Sequence, residues 1–273
     1  MKTYYKLADL NGFDFHTHKT VNYVENIGKT LTVPNYKKGS KPVLCSDTVL
    51  HACENANNCF VSAGFPTRVF KVTGHPVVSD GSKSGFRKLW ILEEIPQETL
   101  DVFFGWKYSE VCKPIHPFKL QAPLISDEQI LLLQNWASIR NSVETSVWDS
   151  VWASVETSVW DSVWDSVWDS VWASIRNSVE TSVWDSVRSS VWASVGASVG
   201  DSVWAYIGSL FPNIKQWKYA PIEIKGYPYQ PCVDLWRQGI VPSFDGETWR
   251  LHTGLDAEIV FEISAQRLKE WKP

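Results

Sequence analysis

Residues 138–209 read SIRN SVET SVWD SVWA SVET SVWD SVWD SVWD SVWA SIRN SVET SVWD SVRS SVWA SVGA SVGD SVWA YIGS, an unbroken array of four-residue Ser-Val-x-x units. A repeat this short leaves two architectures, a long α-helix or a β-solenoid. Four residues overrun the helical turn, so on a straight helix the valines precess by about 40° per unit and form no single buried stripe. Ser, Val, Trp, Asp and Thr are also middling to poor helix formers, whereas Val and Trp favour extended backbone. In a strand the second residue of each unit points away from the first and third. Val (sometimes Ile) then faces inward in every unit, and Asp, Ala, Thr, Asn or Ser at the fourth position turns the corner.

The coil length follows from longer repeats. ASIRNSVETSVWDSV begins at 137 and again at 173, and SVETSVWDSVW begins at 142 and again at 154. Both offsets fit three four-residue sides per coil. Third positions then stack in columns about 4.8 Å apart. One column holds Trp136, Trp148, Trp160, Trp172 and Trp184, then Gly196 and Gly208. A second runs Arg140, Trp152, Trp164, Arg176, Arg188, Gly200, placing cations beside indoles. The third contains Glu144, Glu156, Trp168, Glu180, Trp192 and Trp204. The expected fold class is an α+β globular domain with an inserted β-solenoid of about twelve residues per coil, mainly β. Indoles in columns have two readings: they shield the backbone ladder and stack on each other as part of the fold, or they form a contact face for self-association, a sugar or a partner protein. The candidate binding residues are Trp136, Trp148, Trp160, Trp172, Trp184, Trp152 and Trp164.

Charge is unevenly spread. The chain has a formal net charge of −4, while residues 138–209 carry three Arg against nine Asp and Glu, leaving the flanks near +2. That balance argues against nucleic acid as a partner. The N-terminus, MKTYYKLADLNGFDFH, has no apolar core of a signal peptide, and no stretch is long and apolar enough to span a membrane. The expectation is a soluble protein of the cytoplasm. Five Cys, at 45, 53, 59, 112 and 232, form no disulfide framework, so reduced thiols are expected.

Residues 1–125 read as a domain of short strands: KTYYKLA, KTLTVPNY, TRVFKVTGHPVV and FRKLWILEEI are rich in β-formers. Residues 96–110 hold a short helix. In 126–137, SDEQILLLQNWA, Ser126 precedes an acidic first turn and an apolar run, which makes a cap helix or first coil. Residues 210–273 follow the repeat. There Asp245–Gly246 offers a hairpin turn, AEIVFEI a strand, and CVDLWRQG a short helix closed by Gly239. This segment is expected to pack on the N-terminal domain or cap the solenoid.

The stretch PVLCSDTVLHACENANNCFVSAGFPTRVFKVTGHPVVSDGSKSGFRKLWILEEI resembles an uncharacterised domain of bacteriophage and prophage proteins. The matching residues are Leu44, Cys45, His51, Ala52, Cys53, Val69, Val72, Gly74, Asp80, Lys83 and Leu92. Val49 stands where that domain has Gly. Some members carry Ser-Val-x-x arrays, similar in kind to pentapeptide-repeat proteins. The resemblance implies a phage-type origin and the cytoplasm of a host cell, and brings no chemistry with it.

Three constellations bear on chemistry. Asp14-Phe-His16-Thr-His18 resembles the first-strand metal motif of amidohydrolase-like enzymes, since two His at i, i+2 share a strand face. Such enzymes draw further ligands from a large barrel, which this chain has no room for. Cys45, His51, Cys53 and Cys59 match no common zinc frame, and buried thiols are the plainer reading. His51 on a Leu-His-Ala strand, followed by a helix and an Arg-Val-Phe-Lys-Val strand, resembles the core of small ADP-ribosyltransferases; there Glu93 or Glu94 would orient the acceptor. No motif calls for a cofactor or a metal. The function expected is an accessory binding or scaffold protein, using the Trp-lined solenoid for a protein partner or self-association. The rivals are ADP-ribosyl transfer in the N-terminal domain, and an acidic decoy that inhibits a host protein.

Overall fold

The computed structural model describes residues 1–16, 20–34, 37, 39–60, 63–155, 157–183, 189–220 and 224–273, the side chains of 189–192 excepted. The chain divides into two compact units, Met1–Cys112 with Val155–Val163, and Lys113–Ser154 with Trp164–Pro273.

The first unit is built on one antiparallel sheet. Its strands are β1 (Thr3–Ala8), β2 (Thr30–Thr32), β3 (Leu50–Cys53), β4 (Arg68–Thr73), β5 (Pro76–Ser79), β6 (Lys83–Phe86) and β7 (Lys88–Ile95), in the order β2-β7-β4-β1-β3-β6-β5. Alternation makes β7 a strand: Leu89 and Ile91 point into the core while Trp90 and Leu92 are exposed. Tyr4, Phe70, Val72 and Phe86 fill the same core. After β7 come two short helices, α1 (Leu100–Phe104) and α2 (Tyr108–Cys112). Phe104 stacks on Trp106 with ring centroids 5.3 Å apart, and the Tyr108 hydroxyl receives a bond from the Thr67 N–H and donates to the Thr67 carbonyl. Part of the repeat belongs to this unit. Ser158 and Ser162 donate to the carbonyls of Asn57 and Phe60, and Val159, Trp160 and Val163 are buried.

The second unit overturns the expected solenoid. The Ser-Val-x-x array is helical: α4 (Val143–Ser154), α5 (Thr157–Val167, which starts in the first unit), α6 (Ala173–Val183) and α7 (Ser189–Gly208), preceded by α3 (Asp127–Ile139). The fold is α+β, a seven-stranded and a three-stranded antiparallel sheet with helices. The drift of valines around a helix was the argument against this, and the chain manages it in two ways. First, the helices are short. α4, α5 and α6 have 12, 11 and 11 residues, so each carries three aliphatic positions. Three positions drift by about 80°, which stays inside the apolar stripe of an ordinary amphipathic helix. A 3₁₀ turn at Arg140–Ser142 precedes α4, and a π turn at Trp168–Trp172 joins α5 to α6. The wider π turn sets the register back where the α-helix has run ahead.

Second, α7 is a central helix. Val203, Trp204, Ala205, Tyr206 and Ile207 are all buried, so a precessing valine meets protein on every side. Most valines among the described residues do face inward; Val143, Val147, Val151, Val167, Val171, Val179, Val183, Val195 and Val199 are buried. Serine is a poor helix former because it competes for backbone, and two buried serines of α7 are satisfied within their own helix. Ser198 donates to the Val195 carbonyl at 2.9 Å and Ser202 to the Ser198 carbonyl at 3.2 Å. Tertiary packing, not propensity, thus decides the helical state.

The capping box of α3 forms, with the Ser126 N–H donating to Gln129 Oε1 at 3.0 Å. Beyond α7 lie α8 (Gln230–Arg237), β8 (Val241–Phe244), β9 (Thr248–Thr253), β10 (Glu258–Ser264) and α9 (Ala265–Glu270). Asp245 caps the β8–β9 turn by accepting from the N–H of Glu247 and Thr248. This sheet lies against α7, where Ser198 Oγ accepts from the Phe244 N–H. Among the described residues no helix is long and apolar enough to cross a membrane.

Gly208 marks the closest approach in this unit. A Cβ there would meet the Tyr227 hydroxyl and lie 2.9 Å from Val147 Cγ2, and that hydroxyl donates to the Ala205 carbonyl at 2.6 Å. Gly208→Ala is expected to destabilise the protein by about 1–3 kcal/mol through overpacking, read as a lower urea midpoint with an unchanged slope.

Candidate functional site

Tryptophan stacks form, but at a spacing of four residues along helices rather than twelve along a solenoid. Trp148 and Trp152 lie one turn apart on α4, their rings 5.5 Å apart and 13° from parallel; they are 43% and 46% exposed. Trp164, Trp168 and Trp172 form a second run, with centroid distances of 4.3 and 4.6 Å. Trp204 of α7 joins the two runs, 4.3 Å from Trp164 and 6.3 Å from Trp148.

Beside this cluster is a groove of about 500 Å³. Its floor is the small-residue face of α7: Ala193, Gly196, Ala197 and Gly200. The glycines stand where other units carry Trp, and a Cβ on Gly200 would lie 3.5 Å from Trp172. Trp168, Trp172 and Trp204 make the aromatic walls, with Glu144, Glu180, Asp201 and Arg176 around them. Arg176 sits 5.8 Å over the Trp172 ring while its Nε donates to Glu180 at 2.8 Å. Arg140 donates to Asp201 at 2.7 Å and stacks over Phe244 and Trp249. Burial pushes the Asp201 carboxyl up to about 6; Arg140 opposes the shift and the charge of Glu144 adds to it.

The sequence-derived binding residues therefore separate. Trp172 lines the groove, Trp164 backs it, and Trp148 and Trp152 are the exposed pair. Trp136 is core, edge-on to Tyr229 at 6.4 Å, and Trp160 is buried in the first unit. Neither is a contact surface. Trp184 lies outside the described residues. Glu144, Trp168, Glu180 and Trp204, which shared the third expected column, do line one groove, although helices gather them. The signal for Asp201 and the glycines was the switch from Trp to Gly at the third position in SVGASVGD.

The first unit has a cavity of its own, about 470 Å³, lined among others by Lys6, Asp14, Cys45, His51, Cys53 and Cys59. Lys6 and Asp14 form an ion pair at 2.5 Å with both side chains buried. His51 Nε2 accepts from the Cys45 N–H at 2.9 Å, so the ring is neutral with its proton on Nδ1. Burial, with Lys6 and Lys83 nearby, lowers His51 to about 4. Lys83 donates to Cys45 Sγ at 2.9 Å. Neither a family model, nor a curated protein, nor a solved structure matches this chain.

Glu93 and Glu94 do not join His51. Their strand β7 is three places from β3 in the sheet, about 14 Å of backbone spacing. Glu93 pairs with Lys71 at 3.0 Å, and Glu94 takes two bonds from Arg68 at 2.7 and 2.5 Å. Asp14 is engaged by Lys6, and His18 of the metal-like motif lies outside the described residues. Although Cys45, His51, Cys53 and Cys59 line one cavity, no group of three His, Cys, Asp or Glu among the described residues is arranged to hold a metal ion.

Proposed function

We propose that this chain is a binding protein whose helical tryptophan groove receives a cationic side chain of a partner protein. The observation that carries the reading is Arg176, seated over Trp172 and beside Glu180. It models, inside the molecule, how an incoming guanidinium or ammonium is held: an indole face below and a carboxylate at the edge. Such contacts contribute about 0.5–2 kcal/mol each, most where water is excluded. Charge supports the same occupant. Glu144, Glu180 and Asp201 set against Arg140 and Arg176 leave −1 around the groove when Asp201 is ionised and zero when it is protonated.

Titration with an arginine-containing peptide, followed by calorimetry and Trp fluorescence, tests the proposal; the citrulline version is the neutral control. The arginine peptide should bind and citrulline should not. Because Asp201 titrates near 6, raising the pH from 5 to 7.5 adds a carboxylate charge and should tighten binding by about three- to tenfold. Glu144→Gln should weaken it by a similar factor. Equal affinity for the two peptides would sink the reading. The exposed Trp148–Trp152 pair favours a second use, contact with another copy of the chain; a concentration-dependent sedimentation coefficient that Trp148→Ser abolishes would establish it.

A further inference from the structure

Two thiols, Cys53 and Cys59, share the cavity of the first unit. Cys53 ends β3 and Cys59 lies in the 3₁₀ turn Ala56–Phe60. Both are gathered around one residue of β1. Tyr5 is the strand partner of Cys53, and its carbonyl accepts the Cys59 thiol at 3.2 Å. Both thiols line the cavity, together with the ammonium-bearing Lys6 and Lys83.

We infer that Cys53 and Cys59 are a peroxide-reactive dithiol, in which Cys53 attacks a small hydroperoxide entering the cavity and Cys59 closes a disulfide. Their environments divide the labour. Interaction with Cys59 holds the Cys53 thiol below its ordinary value against the effect of burial, with Lys6 and Lys83 adding to this. Burial pushes the Cys59 thiol well up, so it keeps its proton, which is held on the Tyr5 carbonyl. In the first step the Cys53 sulfur bonds to the terminal peroxide oxygen. The O–O bond breaks, and the departing alkoxide takes the Cys53 proton and leaves as an alcohol (water, from hydrogen peroxide). In the second step the Cys59 sulfur attacks the Cys53 sulfenic sulfur. The S–S bond forms, the S–O bond breaks, and hydroxide leaves as water with the Cys59 proton. The sum is two thiols and one hydroperoxide giving one disulfide, one alcohol and one water. Cys45, exposed, and Cys232, buried, serve as internal comparisons.

The full chain treated with stoichiometric hydrogen peroxide should lose two hydrogens, and peptide mapping should place the link between Cys53 and Cys59. Cys59→Ser should instead accumulate a sulfenic acid at Cys53, trapped by dimedone. Lys83→Gln, which leaves both thiols in place, should slow the reaction by about three- to tenfold. If Cys45 oxidises first in the wild-type chain, or if Cys53→Ser consumes peroxide as fast as wild type, the inference is overturned. The wild-type mapping decides it even where a variant does not fold.

Discussion

Asp14→Ala should destabilise the sheet unit by about 3–5 kcal/mol, the cost of leaving one member of a buried ion pair alone. Lys6 projects from β1 into the cavity, 2.5 Å from Asp14, and both side chains are less than a tenth exposed. Burial works against the Lys6 charge, but Tyr23 and Asp14 outweigh it and keep the ammonium protonated. Remove Asp14 and the burial penalty stands without its largest carboxylate offset. The charge must then be carried uncompensated or given up. The Lys6→Met, Asp14→Leu double variant should recover most of the loss, because two apolar groups of similar size need neither partner nor water. Chemical denaturation followed by circular dichroism measures both. A single variant as stable as the parent, or a double variant no better than the single, would show that the pair is idle.

Trp204→Ala is the second large effect. Its ring is 4.3 Å from Trp164, 6.3 Å from Trp148 and 6.4 Å from Trp168, and it is 7% exposed. Truncation should cost about 3–5 kcal/mol, as for a buried aromatic leaving a cavity. It also removes a wall of the groove, so the arginine peptide should no longer bind. Trp152→Ala is the contrast: nearly half exposed and on the outer stack, it should cost less than about 1 kcal/mol. Near-ultraviolet circular dichroism should lose the coupled indole signal in the first variant and keep most of it in the second. Equal losses of stability would mean that Trp204 is not the hub of the stacks.

The N-terminal strands were legible because local pattern and burial agree there. β1, β4 and β7 sit where KTYYKLA, TRVFKVT and FRKLWILEEI placed them. The Ser126 cap, the Asp245–Gly246 turn and the Gly239 stop likewise rest on chemistry within a few residues. The repeat was misread because a straight helix was the wrong reference. Period four forms no single stripe on a straight surface helix, but short helices set off by a 3₁₀ turn and a π turn tolerate it, and so does α7, whose residues 203–207 are all buried. Those breaks are set by what each segment packs against. The cavity was half legible: His51, Cys45, Cys53 and Cys59 were named as a group, yet Lys6 and Lys83 come from strands far along the chain, and only sheet order brings them in.

Composition and spacing alone settled that valines would be inside, and that the array would be acidic and rich in indole. Each of these depends on a residue's own solubility. Tertiary structure alone decided that the array is helical, that Trp136 and Trp160 are core while Trp148 and Trp152 face solvent, and that the glycines of α7 open a groove. Trp148, Trp152, Trp160 and Trp164 sit in nearly identical Ser-Val-Trp units, so nothing local tells them apart. What distinguishes them is the neighbour each meets: Trp204 for Trp164, and solvent for Trp152.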